Sequence, residues 1–112
     1  MPFVYNVSTV TIPISASISE TFNARNGTLV GLWVPVVAST ANIFLRVSPD
    51  TTSANFVRAR LSPPNSGDWT IGAVTGSFAV SIVDYTLAFQ FLRIETATSE
   101  TSSRAFVLIT KG

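Results

Sequence analysis

Asn42-Ile43-Phe44-Leu45-Arg46-Val47-Ser48-Pro49-Asp50 decides the fold. Ile43, Leu45 and Val47 alternate with Phe44, Arg46 and Ser48, and a period of two puts the two sets on opposite faces of a β-strand. Ser48-Pro49-Asp50 stops it, because proline fixes its own backbone and Ser and Asp side chains bond the backbone of a turn. The same alternation extends in both directions. Upstream, Val10, Ile12, Ile14, Ala16 and Ile18 predict one apolar strand face, interrupted at Pro13, a position best tolerated on an edge strand. Residues 29–37 are apolar on both sides, as in a central strand covered on two faces. Downstream, Val57, Ala59 and Leu61 alternate within residues 55–61. Pro63-Pro64-Asn65-Ser66-Gly67-Asp68 then reads as a loop. Residues 69–71, 78–83, 86–95 and 105–110 complete the set.

Seven to nine short strands, no amphipathic helix pattern and frequent Pro and Gly predict an all-β fold, an antiparallel β-sandwich of jelly-roll-like or immunoglobulin-like connectivity. At 112 residues the chain is short enough for one core. Residues 1–8 read as a short N-terminal arm that orders on a partner, and 9–112 as a single sandwich domain.

Composition narrows the chemistry. The chain contains no Cys and no His, which removes disulfides, thiolate nucleophiles and imidazole bases or metal ligands. The remaining acids, Glu20, Asp50, Asp68, Asp84, Glu95 and Glu100, are scattered, mostly beside turns and strand ends, where solvated or turn-capping carboxylates are expected. Asp50 and Asp68 lie in oxygen-rich loops without the spacing of a calcium loop. Gly72-Ala73-Val74-Thr75-Gly76 lacks the Lys-Ser/Thr ending of a phosphate loop. No catalytic constellation, cofactor or metal site is signalled, so the expectation is a protein that is not an enzyme. No apolar run is long enough to span a membrane, and the first residues lack the regions of a secretory signal, so assembly in the cytoplasm is expected. Basic and acidic residues nearly balance, which argues against nucleic acid as a partner.

Charge is the informative anomaly: seven basic and six acidic side chains make 12% of the chain, about half the usual share of roughly 25%. A folded monomer of this size exposes about 6,000 Å², or roughly one ion per 450 Å². Sparse charge with a net charge of +1 favours association, and a homotrimer or homodimer is expected.

The second faces of several strands repeat Phe and Arg two residues apart: Phe44 and Arg46; Phe56, Arg58 and Arg60; Phe91 and Arg93; Arg104 and Phe106. If these strands share a sheet, it carries an aromatic and arginine face of the composition enriched at protein interfaces. The same pattern also fits arginines stacked on neighbouring rings within one subunit, or some of the Phe residues inside the sandwich.

From Ser15 to Gly112 the chain resembles small β-sandwich virion proteins encoded among the structural genes of tailed bacteriophages. The resemblance rests on the early Ser/Thr-rich alternating strand, Leu29-Val30-Gly31-Leu32-Trp33-Val34-Pro35, residues 41–50 with their Ser-x-Asp turn, and Phe91-Leu92-Arg93-Ile94. It implies a capsid decoration (cement) protein located in the virion, stabilising the phage head through contacts with copies of itself and a major capsid protein. The resemblance also implies a packing role for Arg93. The shorter middle section, with Pro63-Pro64, departs from the family pattern. The alternatives are a tail or fibre accessory protein, or a carbohydrate-binding sandwich in which Trp69 foremost, or Trp33 or Tyr85, stacks against sugar rings.

Overall fold

A computed structural model of the chain describes residues 5–24, 28–36, 42–59, 70–71, 77–81 and 89–111. Among them lie nine strands: β1 (Tyr5–Ile12), β2 (Phe22–Asn23), β3 (Thr28–Val34), β4 (Ile43–Ser48), β5 (Val57–Arg58), β6 (Thr70–Ile71), β7 (Phe78–Ser81), β8 (Phe91–Thr96) and β9 (Arg104–Lys111), with one 3-10 turn at Ser53–Asn55. The expected all-β antiparallel sandwich is the architecture found.

Sheet A runs β1-β9-β3-β7, and sheet B runs β2-β8-β4-β5, with β6 also paired to β4. The pairings nest: first strand with last, second with next to last, β3 with β7, β4 with β5. A long hairpin wrapped into two sheets gives this order, which is jelly-roll connectivity. In the immunoglobulin order the first strand pairs with the second.

The core forms where the inward parities of both sheets meet. Sheet A contributes Val10, Ile12, Leu29, Leu32, Val34, Phe106 and Leu108, and sheet B contributes Ile43, Leu45, Val47, Leu92 and Ile94. β4 follows its predicted alternation throughout. In β3 the inward residues Leu29 and Leu32 are three apart. The register with β9 shifts between Leu29 and Gly31, so Val30 is the extra residue of a bulge that returns Leu32 and Val34 to the core.

Three expectations are corrected. Residues 5–8, expected as part of an arm, belong to β1 and pair with Ser8↔Leu108 through Tyr5↔Lys111; residues 1–4 lie outside the described set. The strand expected over residues 10–18 ends at Ile12, because Pro13 opens a corner where the chain crosses from sheet A to sheet B. Ser15 there has φ 68, and its N–H donates to the Glu100 carbonyl at 2.8 Å while the Glu100 N–H donates to the Ala16 carbonyl at 2.8 Å. Past the corner the chain runs beside β8 irregularly, and the Ser19 hydroxyl takes the place of a backbone carbonyl by accepting the Ile94 N–H at 2.9 Å. The third correction concerns residues 55–61: among the described residues 55–59 only Val57–Arg58 is strand, and Val57 is 58% exposed instead of facing the core, while Leu61 lies outside the described residues.

Candidate functional site

The sandwich presents two outer faces, and their chemistry differs. On sheet B the expected Phe and Arg side chains do gather. Register places Arg46 opposite Arg58 on one side and Arg93 on the other, and Phe44 opposite Glu95. Three guanidinium groups in one row repel unless something offsets them. Glu95 does so: Arg58 reaches across β4, its Nε and Nη2 donating to the Glu95 carboxylate at 2.9 and 3.0 Å, a bidentate geometry. Arg46 lies 3.9 Å from the same carboxylate and donates through Nη2 to the Phe56 carbonyl at 3.2 Å. Its Nε is buried with no hydrogen-bond partner among the described residues.

The rings are covered by the same arginines. The Arg58 guanidinium sits 3.8 Å from the Phe44 ring centre, and that of Arg93 sits 4.1 Å from Phe56. Arg93 also donates to the Thr21 hydroxyl at 3.0 Å and to that of Ser53 at 3.2 Å. Phe56 is consequently only 3% exposed, although it lies outside the main core cluster. This face is a layer of intrasubunit ion pairs and cation–π contacts, so a docking partner would have to displace bonds already made.

Several docking candidates therefore sit elsewhere than expected. Phe56 is covered by Arg93 and is not presented to a partner. Arg104 and Phe106 are on β9, in sheet A, and so do not share a face with the other three pairs. Phe106 is fully buried in the core, since its parity is that of Leu108. Arg104 closes one end of the sandwich, its Nε donating to the Glu100 carboxylate at 3.0 Å. Phe91 is half-buried at the end of the sheet B row. Arg60 and Trp69 lie outside the described residues, as do Tyr85 and Asp68.

Asp50 is a turn residue in its geometry. Its carboxylate accepts from the Asn55 amide at 2.9 and 3.1 Å and from the Thr52 N–H at 2.9 Å. These donors, Asn55 foremost, hold the carboxyl below the usual carboxylate range. A carboxylate ringed by N–H groups is poorly placed to hold a cation. Among the described residues no three Asp, Glu, His or Cys side chains come together as a metal site.

The outer face of sheet A has the opposite character. β1 turns out Tyr5, Val7, Thr9 and Thr11; β9 turns out Ala105, Val107, Ile109 and Lys111; β3 adds Gly31 and Trp33, and β7 adds Ala79. Val7 is 70%, Tyr5 58% and Trp33 47% exposed. Lys111, at one end, is the single charged side chain of this face among the described residues. Gly31 pairs with Ile109 and has no side chain of its own, which leaves a hollow of about 310 Å³ beside Trp33, walled by Ala79 and Ile109. Sequence reasoning marked residues 29–37 as apolar on both sides but did not join them to β1, β7 and β9 as one face. Its signal was present in the second parity of β9, Ala105-x-Val107-x-Ile109, where a solvated strand face would alternate polar.

No known protein family matches the chain, and no curated protein matches it.

Proposed function

We propose that the chain is a non-enzymatic structural subunit that assembles with other protein subunits through sheet A. The specific setting proposed is a virion, where it acts as a capsid decoration protein whose partners are copies of itself and a major capsid protein. The observation that carries the proposal is the outer face of sheet A, where Val7, Trp33, Ala79, Ala105, Val107 and Ile109 lie on one side and, among the described residues, charge stands only at Lys111. Strands about 4.8 Å apart and about seven residues long give such a face roughly 440 Å². Contiguous apolar patches of a few hundred Å² and more mark interaction sites on soluble proteins. Jelly rolls form viral capsid subunits and also lectin domains, so connectivity is compatible with the virion setting and with the sugar-binding alternative.

Trp33 bears on that alternative, because an exposed indole can stack on a sugar ring. A sugar site also needs fixed polar groups for the hydroxyls. The hollow beside Trp33 is lined by Val30, Gly31, Leu32, Ala79, Val80 and Ile109, none with a polar side chain. An apolar protein surface fits it better.

Light scattering of the full chain at micromolar concentration is expected to give an oligomer. Tryptophan emission is expected to show no saturable change when sugars are titrated. A monodisperse 12.0 kDa species with a saturable sugar response would overturn the proposal in favour of carbohydrate binding.

A further inference from the structure

Sheet A ends on β1 at one side and on β7 at the other. An edge strand leaves the N–H and C=O groups of every second residue without a strand partner, and monomeric proteins blunt such edges with short strands, charge, proline or bulges. The other three edges follow that rule. Among the described residues β2, β5 and β6 are two residues long, β5 carries Arg58, and β7 has four residues. β1 does not follow it. Its eight residues keep unbroken register with β9, and none is charged or a proline. Residues 1–19 as a whole contain no charged side chain. Among the described residues no strand pairs with the open side of β1. The first half of the strand is its accessible part: Tyr5, Asn6, Val7 and Thr9 are exposed, whereas Val10 and Ile12 are core.

We propose, resting on the self-assembly assigned to sheet A, that the open edge of β1 pairs antiparallel with β1 of a second copy about a two-fold axis. Two four-stranded sheets then become one continuous eight-stranded sheet. A second copy suits this edge for physical reasons. An interface on a two-fold axis is self-complementary, and strands related by an axis normal to the sheet are antiparallel. Identical uncharged residues brought together meet no like-charge penalty. Such an axis also keeps both outer faces on the same side, so each residue lies opposite one of its own parity and one residue faces its own copy. If the accessible half pairs with itself, Tyr5 lies opposite Thr9, Asn6 opposite Ser8, and Val7 opposite Val7. The joined sheet doubles the apolar face to about 880 Å², past the roughly 800 Å² per partner of a standard interface. Face-to-face pairing would instead consume that surface with only about half that area per copy.

The chain has no cysteine, so one introduced thiol reports one position. Residues opposite one another in an antiparallel pair have Cα atoms about 4.5–5.5 Å apart, within the disulfide range of about 4.4–6.8 Å. Full-length Asn6→Cys, Val7→Cys, Ser8→Cys, Thr9→Cys and Trp33→Cys variants are oxidised and the covalent dimer is followed over time. A rate maximum within residues 6–8, centred on Val7 and at least tenfold above Thr9→Cys and Trp33→Cys, is expected. An oligomer whose Val7→Cys variant cross-links no faster than Trp33→Cys overturns edge pairing and leaves self-assembly standing. A wild-type chain that remains monomeric in light scattering overturns both.

Discussion

Phe106→Ala is expected to destabilise the subunit by about 3–5 kcal/mol, the range for removing a fully buried aromatic ring. Phe106 is 0% exposed, opposite Val10 on β1, in the middle of the inward face of sheet A. Its strand is flanked on both sides by β1 and β3, so the surroundings have little freedom to collapse into the space left behind. Domains of this kind have a total stability of only about 5–15 kcal/mol, so the loss is a large fraction of it. Denaturant unfolding reads it directly, and the loss should not depend on protein concentration. A loss under about 1 kcal/mol would place the ring outside the core and reopen a docking role for it.

Arg104→Ala is expected to cost nearly as much for a different reason. Glu100 is only 2% exposed, and the Arg104 guanidinium is its ion-pair partner at 3.0 Å. Breaking a buried pair from one side leaves an uncompensated charge, at about 3–5 kcal/mol. Glu100 has further interactions, which puts the expected loss at the low end, about 3 kcal/mol. The same residue ties the Pro13 corner through its backbone, so the damage should also reach the crossing between sheets. Replacing both partners, Arg104→Met with Glu100→Leu, is expected to cost much less than Arg104→Ala alone, because no buried charge remains. Equal losses in the single and double variants, measured by urea unfolding, would show that the pair contributes packing and not charge compensation.

How much of this was legible in the sequence follows from what a period of two encodes. In β4 the alternation of Ile43, Leu45 and Val47 with Phe44 and Arg46 specified both faces correctly, because no bulge or proline intervenes. Across residues 10–18 the same alternation misled: Val10 through Ile18 keeps its parity, but Pro13 and the left-handed Ser15 turn the chain into the other sheet. Parity tells which residues of one strand share a face, but it does not say which sheet the strand joins. Arg104 and Phe106 therefore looked equivalent to Phe91 and Arg93 until β9 was placed in sheet A. The arginine and aromatic pattern was readable; its meaning depended on Glu95, a residue with no periodic signature that pairs across β4 with Arg58. The apolar face of sheet A arises only when β1, β9, β3 and β7 lie side by side, a non-local fact. Residues 29–37 alone announced an apolar second side, and nothing in that one strand says which neighbours extend it into a face.

The most direct test of the account compares two substitutions on opposite faces in one sedimentation-equilibrium series with the wild-type chain. Val7→Lys puts a charge on the most exposed apolar side chain of β1, 70% accessible and remote from the core; Arg58→Ala removes the guanidinium that binds Glu95 and covers Phe44. Val7→Lys is predicted to raise the dissociation constant at least tenfold, equivalent to about 1.4 kcal/mol, with unfolding stability nearly unchanged. Arg58→Ala is predicted to leave the dissociation constant unchanged and to lower only the stability of the subunit. Assembly weakened by Arg58→Ala and untouched by Val7→Lys would contradict the account and return the docking surface to sheet B.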